Sequence, residues 1–110
     1  ACLQGAKLLV VPAAFNTTTG PLHWDLLMRT RAVDNQVYLA AASPAFNPEA
    51  GYQAWGHSLI IDPWGNIIAQ ASNNEEIIMA RLDKAVVEQV RRELPVLKQR
   101  RTDLYNIAWR

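Results

Sequence analysis

The side chains able to do covalent chemistry in this chain are few: one thiol, Cys2, and two imidazoles, His23 and His57. A cysteine hydrolase needs a thiolate generated by a neighbouring imidazole or carboxylate. Cys2 lies instead in Ala1-Cys2-Leu3-Gln4-Gly5, the tail of a helix closed by a left-handed glycine, with no turn that would expose the sulfur. It reads as a small packed residue. His57-Ser58 invites a serine-nucleophile reading, yet neighbours on a strand point to opposite faces and cannot bond as a dyad. Thr17, Thr18 and Thr19 carry hydroxyls suited to a carboxylate, although residue types alone favour bonds to their own backbone. His23 and Trp24 open a helix, where packing is the more common role than proton transfer. Arg29, Arg31 and Asp34 are spaced for a helix-end ion pair, and a carboxylate so paired serves poorly as a general base. No Cys/His/Asp/Glu cluster has metal-ligand spacing and no glycine-rich phosphate loop is present, so neither a metal nor another cofactor is expected.

These residues sit on a readable succession of elements. Lys7-Leu8-Leu9-Val10-Val11-Pro12 is a continuous apolar run ended by proline, the pattern of a strand buried on both faces. Asn16 to Pro21 is a turn-forming loop, and Trp24 to Val33 has Trp24, Leu27, Met28 and Arg31 at helical spacing, with Asp34-Asn35 closing the helix. Val37 to Ala42 reads as a second buried strand, and Phe46 to Tyr52 as a surface loop. His57–Asp62 and Asn66–Ala71 flank Pro63-Trp64-Gly65 as a hairpin in which proline presets φ and glycine supplies a positive φ. Glu76 to Leu82 is a further strand. Asp83 caps a helix from Lys84 to Leu94 whose Val86, Val87, Val90 and Leu94 form an apolar stripe, and Pro95 ends it. Arg100 to Tyr105 is read as extended. This order predicts an α/β layered fold. Strands apolar on both faces need cover on both, and two helices supply too little, so more chain or a partner subunit is expected to complete the layers.

At 110 residues, half of them apolar, the chain has enough material for one modest core. A formal net charge of +1 with 19% charged residues argues against an electrostatic nucleic-acid binder. The late basic cluster, Arg91-Arg92 and Lys98 to Arg101, is interleaved with Glu88 and Glu93 and reads as a solvated helix face, so neither nucleic acid nor membrane is expected as a partner. A lone cysteine forms no internal disulfide, which favours a reducing compartment, the cytoplasm or mitochondrion. No apolar run approaches the roughly 20 residues that span a bilayer.

Gly20-Pro21-Leu22-His23-Trp24, the run from Arg29 to Tyr38, Ala54-Trp55-Gly56-His57-Ser58 and Asp62-Pro63-Trp64-Gly65 together resemble the C-terminal part of the nitrilase superfamily, nearest its ω-amidase branch. The resemblance runs from Gly5 to Tyr105. It implies that residues 1–110 are the C-terminal portion of a single carbon–nitrogen hydrolase domain, part of a nitrilase-type αββα sandwich that is incomplete in this chain. It also implies that the family's nucleophilic cysteine, general-base glutamate and oxyanion-stabilising lysine lie upstream of residue 1. None of the three has a match here, so no catalytic residue is assigned, and Cys2 falls near the far end of the helix that follows the nucleophile. Pro12 to Asn16 matches the segment that passes beside the substrate, with Phe15 aligned to an aromatic of the pocket and Thr19 a second substrate-binding candidate. Arg29, Arg31 and Asp34 match a buried structural pair. Trp55 and Asp34-Asn35-Gln36 look more like the ω-amidase branch than like deaminated-glutathione amidases.

The implied activity is hydrolysis of short dicarboxylate monoamides, such as 2-oxoglutaramate or 2-oxosuccinamate, to the dicarboxylate and ammonia through a thioester. The fragment alone is expected to be inactive, and the complete enzyme a homodimer to which the tail after Arg101 contributes. Two alternatives stand beside this reading: a truncated, non-catalytic interaction module, and another amidase of the superfamily, whether deaminated-glutathione amidase, nitrilase or carbamoylase.

Overall fold

The computed structural model describes residues 1–108. Strand β1 (Leu8–Pro12) runs through a loop into a π-helical turn (Gly20–Trp24) continuous with helix α1 (Asp25–Asn35), which returns the chain to β2 (Tyr38–Ala42). β1 and β2 pair in parallel with Leu8 opposite Tyr38 and Pro12 opposite Ala42, so this is a β–α–β unit. β3 (Leu59–Ile61) then adds antiparallel to β2, and β4 (Ile67–Gln70) adds antiparallel to β3, giving the order β1-β2-β3-β4. Helix α2 (Lys84–Glu93) follows. The arrangement is mixed α/β, as expected.

One face of the sheet is packed. Leu9, Val11, Leu39, Ala41, Leu59 and Ile61 meet Trp24, Met28 and Ala32 there, and Trp24, Ala32, Leu39, Leu59 and Ile61 are 0% exposed. The helix stripe is therefore i, i+4, i+8 from Trp24, not the Trp24, Leu27, Met28, Arg31 set expected. Leu27 and Arg31 stand one residue off it, about 100° around the helix, and are exposed. The other face differs from expectation as well: Val10 of β1 is 67% exposed and Leu8 is also open, because α1 covers only the side on which Leu9 and Val11 lie.

The hairpin behaves as read. Asp62 Oδ1 accepts from the N–H groups of Trp64 and Asn66, both at 2.9 Å, and Gly65 takes φ 85°. A Cβ on Gly65 would also lie 2.6 Å from Val33 Cγ2, and Arg29 Nε donates to the Gly65 carbonyl at 2.7 Å, so the turn is seated on α1. Near the start, Cys2–Gln4 is a short 3-10 turn whose C-cap is Gly5 at φ 98°. Two segments depart from the reading. Glu76 to Leu82 is not a strand: a strand exists only by pairing, no described segment offers it a ladder, and Ile77 and Met79 stand 93% and 85% exposed. Residues 101–105 are not extended but form a turn, with the Leu104 and Tyr105 N–H groups donating to the Arg101 carbonyl and Arg101 paired to Asp103 at 2.6 Å.

Helix α2 starts as expected, with Asp83 Oδ1 accepting from Ala85 N–H at 2.9 Å, and it buries Val87 and Val90, while Leu94 is exposed. Its far end locks onto the end of α1. Gln36 closes α1 in the left-handed conformation, φ 51°, a position that usually takes glycine. Its buried side chain donates from Nε2 to the Leu94 carbonyl at 2.6 Å, and Arg91 donates to the Gln36 and Asn35 carbonyls. Replacing Gln36 by alanine keeps the left-handed strain and orphans the Leu94 carbonyl, and should lower stability by about 1–3 kcal/mol in urea unfolding; Gln36→Gly, which relieves the strain, should lower it by less.

Candidate functional site

Two loops carry the residues singled out, and they are sewn together. Residues 13–20 leave β1 and residues 52–57 lead into β3. Tyr52 OH donates to the Ala14 carbonyl at 3.1 Å, Trp55 N–H donates to the Phe15 carbonyl at 2.7 Å, and Asn16 and Ala54 form an isolated antiparallel bridge. Trp24 anchors the pair from beneath: Phe15 packs edge-on against its ring, centroids 5.1 Å apart at 70°, and its Nε1–H donates to the His57 carbonyl at 2.8 Å.

Asn16 organises the threonines. Its Oδ1 accepts from Thr18 N–H (2.9 Å), Thr19 N–H (2.8 Å) and the Thr19 hydroxyl (3.0 Å), while its carbonyl accepts from Gly20 N–H at 2.8 Å. It thus satisfies donors at the start of a helical stretch that runs through α1, which has no side-chain cap at Trp24. Phe15 and Thr19 are half-buried and lie on this one loop, with Thr17 and Thr18 exposed beside them. Thr19 spends its hydroxyl proton on Asn16, so it presents lone pairs unless the hydroxyl turns. Thr18 through its N–H, and Thr19 through its N–H and hydroxyl, bond to the neighbouring Asn16 side chain; an Asn preceding Thr-Thr-Thr-Gly-Pro was the sequence signal for this cap.

The other candidates do not assemble into a catalytic group. Cys2 lines a cleft of about 570 Å³ with Leu3, Leu9, Asn35 and Ile107, a lining that has no histidine or carboxylate. His23 is exposed at the end of the π-helical turn. His57 and Ser58 do not bond to each other, although the reason is not alternation along a strand, since β3 begins at Leu59: His57 Nδ1 lies 2.7 Å from the Trp55 carbonyl, while Ser58 Oγ accepts from Ser43 N–H at 2.9 Å. The expected buried pair among Arg29, Arg31 and Asp34 does not form, because Arg29 is drawn to the Gly65 carbonyl and both Arg31 and Asp34 face solvent. Among the described residues no group of three His, Cys, Asp or Glu is placed to hold a metal ion, and no helix is long and apolar enough to cross a membrane.

Tyr52, Asn16 and Glu76 were missed by the sequence reading. Glu76 takes bonds from the Ser72 hydroxyl and the Ser72 N–H beside a polar cavity of about 110 Å³ lined also by Ser43, His57 and Ser58. These bonds, the hydroxyl's first, hold its carboxyl below the usual glutamate range, with a smaller contribution from His57. A carboxyl lowered in the folded state supports its loop fully above the ordinary glutamate range and loses that support as pH falls through the lowered value. The Ser72 amide should accordingly titrate by NMR with a midpoint below that of a free glutamate, and Glu76→Gln should abolish the step. Asn16→Ala, which strips three bonds from the turn, should cost about 1 kcal/mol and speed amide exchange at Thr18 and Thr19.

The carbon-nitrogen hydrolase family profile matches residues 1–92. Omega-amidase NIT2-A of Xenopus laevis and omega-amidase NIT2 of Homo sapiens are 52% and 51% identical over 104 residues, which cover 94% of this chain. The chain spans 38% of the length of these relatives. Among solved structures it is similar to Saccharomyces cerevisiae Nit3, a member of branch 10 of the nitrilase superfamily, with a TM-score of 0.87 and 54% identity over 91% of this chain and 37% of that one. The C. elegans NitFhit protein superposes with a TM-score of 0.90 at 40% identity, over 96% of this chain and 26% of that one. With the sheet order, the loop that follows β1 and the family match all in agreement, the chain belongs to the carbon-nitrogen hydrolases of the nitrilase superfamily.

Proposed function

We propose that this chain is the C-terminal part of an ω-amidase-like enzyme and forms one wall of its substrate pocket. The observation that carries the reading is the identity of 52% to an omega-amidase over 94% of the chain. In the complete enzyme a cysteine thiolate supplied by the rest of the polypeptide attacks the amide carbon of 2-oxoglutaramate or 2-oxosuccinamate; the C–N bond breaks, ammonia leaves, and a water activated by a general base cleaves the thioester. A lysine and a backbone N–H stabilise the oxyanion.

Phe15 packs against the substrate's carbon chain. Thr19 turns its hydroxyl from Asn16 to a substrate carboxylate, while the Thr18 and Thr19 N–H groups keep Asn16 in place. The enzyme acts as a homodimer in the cytoplasm or mitochondrion. The exposed Leu104, Tyr105 and Ile107 of the tail are apolar groups of the kind a subunit contact covers.

The complete protein should release ammonia from 2-oxoglutaramate, and the 110-residue chain alone should release none. Phe15→Ala in the complete protein should raise KM about tenfold with kcat little changed, the signature of lost ground-state binding. Ammonia release by the purified 110-residue chain, abolished by Cys2→Ala, would show instead that the chemistry resides here.

A further inference from the structure

Gly20 is not a glycine for reasons of backbone angle. It is buried in the π-helical turn, and a Cβ placed on it would lie 2.2 Å from Trp55 Cγ, 2.4 Å from Trp55 Cβ and 2.7 Å from Trp55 Cδ1. Those are the atoms of Trp55 nearest its backbone, which cannot swing aside as the tip of a long side chain can. The turn that carries Thr19 and the base of Trp55 therefore touch with no slack. Because the Trp55 N–H also holds the Phe15 carbonyl, one residue of the second loop grips the first loop at both of its candidate substrate contacts.

The same residue also holds His57. The Trp55 and His57 rings stack with centroids 4.2 Å apart and planes 17° from parallel. His57 Nδ1 faces the Trp55 carbonyl at 2.7 Å, and a carbonyl only accepts, so Nδ1 bears a proton, and in the neutral form of the ring the lone pair lies on Nε2. His57 occupies the left-handed region at φ 61°, a conformation strained for a residue other than glycine that persists only where its surroundings enforce it. The stack, the Nδ1–H bond and the Trp24 indole bond to the His57 carbonyl are what enforce it here.

We propose that Trp55 is a positioning residue: through its contact with Gly20 and its bond to Phe15 it sets the height of the substrate-facing turn, and through its ring and carbonyl it fixes His57 in the Nδ1–H tautomer. The first half rests on the pocket assignment of Phe15 and Thr19 above; the second does not. Trp55 touches no reacting atom in this scheme. Its effect falls on how well the turn is placed, and hence on KM before kcat.

The test uses the complete enzyme with Trp55→Ala, Trp55→Phe, Gly20→Ala and the double variant. Trp55→Ala and Gly20→Ala should each raise KM for 2-oxoglutaramate about tenfold, with kcat within about threefold of the parent. Trp55→Phe, which keeps a stacking face, should bring KM back to within about threefold. In the double variant the added methyl escapes Trp55 Cγ and Cδ1 and meets only the retained Cβ, so its KM should lie below the product of the two single effects. Imidazole nitrogen shifts of His57 should report one Nδ1–H tautomer in the parent and in Trp55→Phe, and a mixture in Trp55→Ala. An unchanged KM in a cooperatively melting Trp55→Ala, or KM effects that simply multiply, overturns the role in placing the turn; an unchanged His57 tautomer overturns the clamp. If the parent enzyme leaves 2-oxoglutaramate intact, the substrate reading fails, and non-additive melting temperatures across the same four proteins together with the His57 shifts still decide whether Trp55 acts as described.

Discussion

Core and candidate site meet at the side chain of Trp24. It sits where the π-helical turn becomes α1, with its whole side chain excluded from water and packed on Leu39, Leu59, Ile61 and their neighbours. A ring of that size removed from water contributes on the order of several kcal/mol, enough to decide which face of α1 turns inward. The polar end of the same side chain reaches outward: its N–H holds the His57 carbonyl, and its ring packs against Phe15. Core packing and site geometry thus share one residue. The two loops that bear the candidate substrate contacts are placed by the same burial that closes the β–α–β unit.

A second constraint is directional. The sheet is apolar on both faces along β1, yet only the side of Leu9 and Val11 is packed, and Leu8 and Val10 remain open. Continuous apolar strands of this kind occur where a sheet is covered on both sides. The αββα arrangement to which the superfamily resemblance pointed gives such cover, and the likeness to solved members of that superfamily places this segment within that fold. The same constraint accounts for Glu76 to Leu82, a sequence with strand character that has no ladder to join among the described residues. A continuous apolar run such as Ile77-Ile78-Met79-Ala80 becomes a strand only where a neighbour pairs with it.

Much of the local structure was legible in the sequence because it rests on short-range chemistry. Gly5 and Gly65 take positive φ where the reading placed them, Asp83 caps α2, Pro95 follows its end, and the Pro63-Trp64-Gly65 turn closes the hairpin. The stripe on α1 was read one residue too wide, since periodicity marks several apolar positions but does not say which of them a sheet will cover. The proposed ion pair among Arg29, Arg31 and Asp34 failed for a related reason. Spacing permits such a pair, but the Gly65 carbonyl, brought near by the hairpin, takes Arg29 first.

The class of fold, the β–α–β unit with the hairpin after it, and the family were all readable along the chain, because these follow from residue type, period and motif. Long-range packing alone makes Gly20 small to admit Trp55 and holds Gln36 and His57 left-handed. Each of these depends on atoms far apart in sequence, or on which of several possible partners arrives within bonding distance. Contact of that kind is settled when the sheet and helix pack, and no pattern along a single chain segment encodes it.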